Sequence, residues 1–222
     1  MAIKTVLALS GGLDSATLLY SLHQQGDELY CVNFSYGSKH NAREREQAAR
    51  LARPLGLSYQ EVDLDFFTAL IRSHLLKSGG EIPRAGYDKE TMAQTVVPGR
   101  NGIFMSILAG YAESIGADRI AIANHAGDHF LYPDCRPEWV SAMGLAILLG
   151  SEQRVGLHAP FSHLKKSEIC RLGSELQVPF AETWSCYVGG ETHCGACGTC
   201  GDRQHAFKEA GIHDPTIYAD YS

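Results

Sequence analysis

The sequence predicts an α/β protein built on a parallel sheet with helices on both faces. Three observations predict it. Short β-rich runs alternate with apolar or amphipathic stretches of helical period between residues 5 and 176. A glycine pair closes the first β-rich run and opens the first helical one. The chain has 222 residues, 45% hydrophobic and 20% charged, enough for one domain with a real core and too apolar for a disordered chain. Repeated β-α-β units of this kind pack as parallel strands because each crossover lays a helix over the sheet.

The elements follow in order. Residues 5–9 form the first strand and residues 15–23 the first helix. A second strand covers 28–34. Residues 41–55 read as a helix with alanine and leucine on one face and Arg43, Glu44, Arg45 and Glu46 on the other. Residues 57–64 alternate apolar and polar side chains, as a third strand does. A strongly apolar helix spans 102–114, a fourth strand 119–123 and another helix 137–149. A fifth strand at 155–159 and a helix at 166–176 complete the series. From about residue 183 the chain turns rich in Cys, Gly and His. It therefore divides into an α/β unit over 1–182 and a compact segment over 183–222, with metal rather than core expected to hold the second part.

Composition excludes several classes. The net charge is −6, so a surface for binding nucleic acid is not expected. No stretch of about 18 uninterrupted apolar residues is present, and the N-terminus lacks the anatomy of a signal peptide. A cytoplasmic protein without membrane contact is expected.

Ser10-Gly11-Gly12-Leu13-Asp14-Ser15 follows a strand and begins a helix. Glycines let the backbone turn sharply and approach a ligand, and amides opening a helix carry partial positive charge, so the turn suits phosphate. Leu9, Ser10, Gly11, Gly12, Leu13, Asp14, Ser15 and Ala16 are assigned to nucleotide, joined by Tyr36 at the end of the second strand. The string has neither a Walker lysine nor dinucleotide-fold spacing. Asp14 makes sense as a Mg²⁺ partner or as a helix cap.

Cys194, Cys197 and Cys200 make two C-x-x-C steps in tandem, with Cys186 eight residues upstream. In a reducing compartment clustered thiols are metal ligands rather than disulfides, and four thiolates close a structural zinc site. His193 is a substitute ligand, and an iron–sulfur cluster is an alternative occupant.

Other positions join the site at the carboxyl ends of strands, where open α/β sheets bind ligands. Arg100 enters the most apolar helix beside Asn101 and suits an anion. Asp128, Tyr132, Asp134 and Arg136 follow the fourth strand and could read a polar heterocycle. Lys166 opens a helix after Pro160 and would neutralise phosphate charge. The catalytic candidates are Asp14, Ser15, Arg100 and Lys166.

SGGLDS, FSYG, VPGRN, YPDCRPE, TWSCY and HCGACGTC occur in this order over nearly the whole chain. The set resembles the 7-cyano-7-deazaguanine synthase family of PP-loop ATP pyrophosphatases. The resemblance implies a PP-loop fold, a four-cysteine zinc site and a homodimer. It implies conversion of 7-carboxy-7-deazaguanine and ammonia to the nitrile with ATP, through adenylates. Many members carry an acidic E-T-D-F-S-G stretch before YPDCR, where this chain has residues 125–131, His-Ala-Gly-Asp-His-Phe-Leu. Three alternatives stay open: a related amide-former with a protein or other amine as acceptor, a tRNA thiolase, and a non-catalytic zinc-ribbon module.

Overall fold

A computed structural model describes residues 2–84 and 89–219. Five parallel strands lie in the order β3-β2-β1-β4-β5. They are β1 (Lys4–Ala8), β2 (Glu28–Ser35), β3 (Ser58–Asp63), β4 (Arg119–Ala121) and β5 (Gly156–His158). The helices are α1 (Leu13–Gln25), α2 (Asn41–Ala52), α3 (Lys89–Ala93), α4 (Arg100–Ser114), α5 (Pro137–Gly150), α6 (Lys166–Glu175) and α7 (Gly198–Ala210).

The two-residue period of the strands divides the core. Leu7, Cys31 and Ala121 face α1, α2, α6 and α7, while Val6, Val32 and Ile120 face α4 and α5. Strands buried on both faces need continuous apolar runs, which β1 supplies as Thr5-Val6-Leu7 without one exposed side chain.

Boundaries moved for local reasons. The predicted helix over 41–55 gives way at Arg53 to a 3₁₀ turn carrying Pro54, whose missing N–H ends the α ladder. The helix expected over 102–114 begins at Arg100, because Gly99 at φ 70° turns the chain and the Asp134 carboxylate accepts from the Asn101 amide at 3.1 Å. β4 stops at Ala121, and Asn124 turns away to donate to the Cys135 carbonyl and Ser162 hydroxyl.

The C-terminal segment is more than a metal-held appendage. α7 packs on α6 and sends Ala206 and Phe207 into the main core, where Phe207 meets Phe180 edge to face at 5.1 Å. Arg203 is fully buried, pairs with Asp214 at 3.3 Å and donates to Thr183, Ser185 and the Phe180 carbonyl. Apolar burial therefore holds this segment as well as its cysteines.

Candidate active site at the carboxyl edge of the sheet

The strand order reverses between β1 and β4, and that switch point opens a crevice at the carboxyl ends. A cleft of about 260 Å³ lies there, far larger than the ~30 Å³ share of one water. The turn after β1 forms its floor. Gly11 holds φ 82°, and a Cβ on it would lie 2.5 Å from the Glu44 carbonyl oxygen and 2.7 Å from the Ala48 nitrogen. Only glycine lets the turn lie this close to α2. The Ser10 hydroxyl accepts from the Gly12 amide at 3.2 Å and lies 3.0 Å from the Ser15 hydroxyl. α1 has no side-chain cap, so its first-turn amides remain donors toward the cleft. From the other side, the Trp184 amide donates to the Gly11 carbonyl at 2.9 Å.

Charges gather where α1, α6 and α7 meet. Lys166 Nζ lies 2.8 Å from Asp202 Oδ2 and 3.4 Å from Asp14 Oδ2. His125 Nε2 lies 3.6 Å from Asp128 and 3.8 Å from Asp14. The Gly127 amide donates to His125 Nδ1 at 3.1 Å, which fixes the proton of the neutral ring on Nε2, facing the carboxylates. Burial pushes Asp128 above the usual carboxylate range, against the pull of His125 and Lys166. Burial would do the same to Asp202, but the Lys166 charge and hydrogen bond outweigh it and hold it low. Asp14 Oδ1 is buried with no hydrogen-bond partner among the described residues.

The opposite wall is aromatic and cationic. Phe34 stacks on Phe104 at 4.2 Å, and the Arg100 guanidinium lies over the rings of Tyr36 and Phe104. Burial pushes the Tyr36 phenol up to about 12, against the Arg100 charge. Tyr132 and Tyr187 approach hydroxyl to hydroxyl at 3.3 Å.

All the residues that the sequence assigned to nucleotide, substrate or catalysis line this cleft except four. Gly11 serves the turn, and Ala16 is buried in the core beneath it. Asp134 is spent as an acceptor for the amide of Asn101. Arg136 is exposed, off the cleft, and donates to the His129 carbonyl. The sequence reading missed Asn33, His40, Glu44 and Tyr187 on the cleft wall, and Asp202 behind Lys166. A His and a Glu one turn apart at a helix start was the signal available for the second and third.

The Sγ atoms of Cys186, Cys194, Cys197 and Cys200 lie within 4.8 Å of one another, and all four residues are buried. The Cys197 amide donates to Cys194 Sγ at 3.2 Å and the Cys194 amide to Cys186 Sγ at 3.3 Å, the N–H···S pattern that favours thiolate. Hydrogen bonds from the Cys186 and Cys200 thiols hold the Cys197 thiol well below its ordinary range. Four buried, converging sulfurs, two of them already accepting backbone N–H bonds, fit a tetrahedral metal ion. His193 is not a fifth candidate: its Nε2 accepts from the Ser185 amide at 3.1 Å, and its ring packs on Trp184 at 4.2 Å. Burial holds its pKa down at about 4.

A 3-2-1-4-5 parallel sheet with an S-G-G-x-D-S turn at its switch point defines a PP-loop α/β protein. The solved structure of NMN synthetase from Francisella tularensis shares this fold, with a TM-score of 0.51 over 96% of this chain and 79% of its own, at 16% identity. The family described as queuosine biosynthesis protein QueC matches residues 4–211, and this chain belongs to it. Its relatives include the 7-cyano-7-deazaguanine synthase of Porphyromonas gingivalis, 47% identical over 214 residues covering 96% of each chain. The enzyme of that name from Caldicellulosiruptor saccharolyticus is 46% identical over 216 residues, covering 97% of this chain and 96% of its own.

Proposed function

We propose that this chain converts 7-carboxy-7-deazaguanine and ammonia to 7-cyano-7-deazaguanine, consuming ATP. The observation that carries the reading is the SGGLDS turn at the switch point, with Lys166 and Asp14 3.4 Å apart beside it in a family of that activity.

A carboxylate resists attack because of its charge. Transfer of AMP to its oxygen removes the charge and supplies a leaving group. The uncapped amides of α1 and the Ser10 and Ser15 hydroxyls hold the departing pyrophosphate, and Lys166 neutralises it. Arg100 on the opposite wall holds the substrate carboxylate. Ammonia displaces AMP to give the amide, and a second adenylation, on the amide oxygen, allows elimination to the nitrile. The protein works by positioning and charge, without a covalent nucleophile. A magnesium ion fits beside Asp14, whose buried Oδ1 lacks a partner, and would supply further charge neutralisation to the phosphates. Zinc fits the four thiols, in a closed site that holds structure and leaves no position for chemistry.

Two further readings belong here. The seven cysteines are all free thiols, which fits the reducing cytoplasm. α5 exposes Leu145 and Leu149 and α4 exposes Ile103, an apolar surface that a second copy would cover in a homodimer. The experiment is mass spectrometry of the product made from 7-carboxy-7-deazaguanine, ATP and ammonium. Nitrile with AMP is expected, and amide alone, or no turnover, would overturn the reading.

A further inference from the structure

On the synthase reading above, one nitrogen loses every proton it brings. Acyl adenylate and NH₄⁺ give amide, AMP and two H⁺. Amide and ATP give the adenylated imidate, pyrophosphate and one H⁺, and the imidate gives nitrile, AMP and the last H⁺. Four N–H bonds break on one atom, so the cleft needs a proton acceptor near the acyl carbon.

Most cleft bases are committed elsewhere. Asp14 pairs with Lys166, and His125 Nδ1 is occupied by the Gly127 amide. The Asp128 carboxylate faces the Nε2 of His125. His40 differs. It sits at the N-cap of α2 on the cleft wall, 2% exposed. Its ring stacks on Tyr187 at 5.1 Å and meets Tyr36 edge to face at 6.5 Å. Its Nε2 lies 3.4 Å from the Glu44 carboxylate one turn along α2. Its Nδ1 is buried and has no hydrogen-bond partner among the described residues. The Glu44 carboxylate on the Nε2 side favours a proton there, which leaves the lone pair to Nδ1, and a buried acceptor left unpaired costs about 1–3 kcal/mol unless a ligand N–H or O–H meets it.

We propose that His40 is the base that takes the N–H protons of the incoming nitrogen, with Glu44 as the positioning residue that holds its tautomer and supports the imidazolium. In each transfer an N–H electron pair stays on the substrate nitrogen, the proton joins Nδ1, and the ring then releases it to solvent. The charged or titratable groups against His40 are Glu44 from α2, Tyr36, which Arg100 meets from across the cleft, and Tyr187 from the cysteine segment.

The two half-reactions separate the roles. ATP–pyrophosphate exchange with 7-carboxy-7-deazaguanine and no ammonium breaks no N–H bond, whereas nitrile formation breaks four. His40→Gln should lower nitrile formation about 100-fold more than it lowers exchange, the scale of general-base catalysis. Added imidazole should restore part of the activity of His40→Ala. Glu44→Gln should likewise lower nitrile formation more than exchange, because the ring loses the carboxylate that orients it. Equal losses in exchange and nitrile formation, in His40→Gln or in Glu44→Gln, would overturn the assignment. If His40→Gln does not fold, Glu44→Gln decides alone. A wild-type protein that exchanges pyrophosphate but makes no nitrile would instead remove the synthase reading, and this proposal with it.

Discussion

Substituting Gly11 by alanine tests the geometry on which the nucleotide site depends. At φ 82° an L-residue carries left-handed strain of about 1–2 kcal/mol. Its new Cβ would also lie 2.5 Å from the Glu44 carbonyl oxygen and 2.7 Å from the Ala48 nitrogen. Both are backbone atoms of α2, so no side chain can rotate out of the way. Forced overpacking of this kind costs about 1–3 kcal/mol. The sum, about 2–5 kcal/mol, corresponds to a Tm lower by about 4–20 °C in a chain of this length. Two controls divide the total. Gly26 has φ 83° with nothing within 4 Å of its Cβ position, so Gly26→Ala should show the strain alone, about 1–2 kcal/mol. Gly12 is extended, with φ −78°, and its Cβ would meet Ser10 Oγ at 3.3 Å and the Trp184 carbonyl at 3.4 Å, so Gly12→Ala should cost less than about 1 kcal/mol. The assay is thermal unfolding of the three variants, followed by titration with a non-hydrolysable ATP analogue. Gly11→Ala must rank last in stability and must also lose nucleotide affinity. Equal stability for Gly11→Ala and Gly26→Ala, with wild-type nucleotide binding, would refute the reasoning.

Asp14→Asn should keep the fold and lower turnover by at least about 100-fold, read as pyrophosphate release, because the variant removes the carboxylate that orients Lys166 and would hold a magnesium ion beside the phosphates. Asp214→Asn should destabilise the chain by about 3–5 kcal/mol by leaving the fully buried Arg203 charge without its partner. Burial alone would raise Asp214, but the Tyr218 and Thr216 hydrogen bonds and the Arg203 charge outweigh it and hold its pKa low. Its contribution is therefore complete above about 3.9 and fades as pH falls through the lower folded-state value, and denaturant midpoints measured between pH 3 and pH 6 would show this in wild type and not in Asp214→Asn. Cys197→Ser should purify without zinc by elemental analysis and unfold at a lower temperature, and an equally stable zinc-free variant would exclude the structural role.

The strands and the cluster of four cysteines were legible because both signals are local. β1 announces itself by an unbroken apolar run, and three of the four thiols fall within seven residues. What could not be read depends on contacts between distant segments. Asp202 meets Lys166 only because α7 packs on α6. The sequence grouped Asp134 and Arg136 with the substrate contacts by their place in one motif, and only the fold shows that Asp134 accepts from the Asn101 amide at the start of α4 and that Arg136 is exposed and donates to the His129 carbonyl. His40 looks like a surface residue in the sequence and becomes a wall residue once Tyr187 from the cysteine segment stacks on it.

The thiol cluster grips the cleft by both ends. Trp184, two residues before Cys186, holds the Gly11 carbonyl, and Asp202, two residues after Cys200, holds Lys166. A displacement of the thiols would thus reach the floor of the cleft through two short tethers, while Phe207 and Ala206 stay packed in the main core.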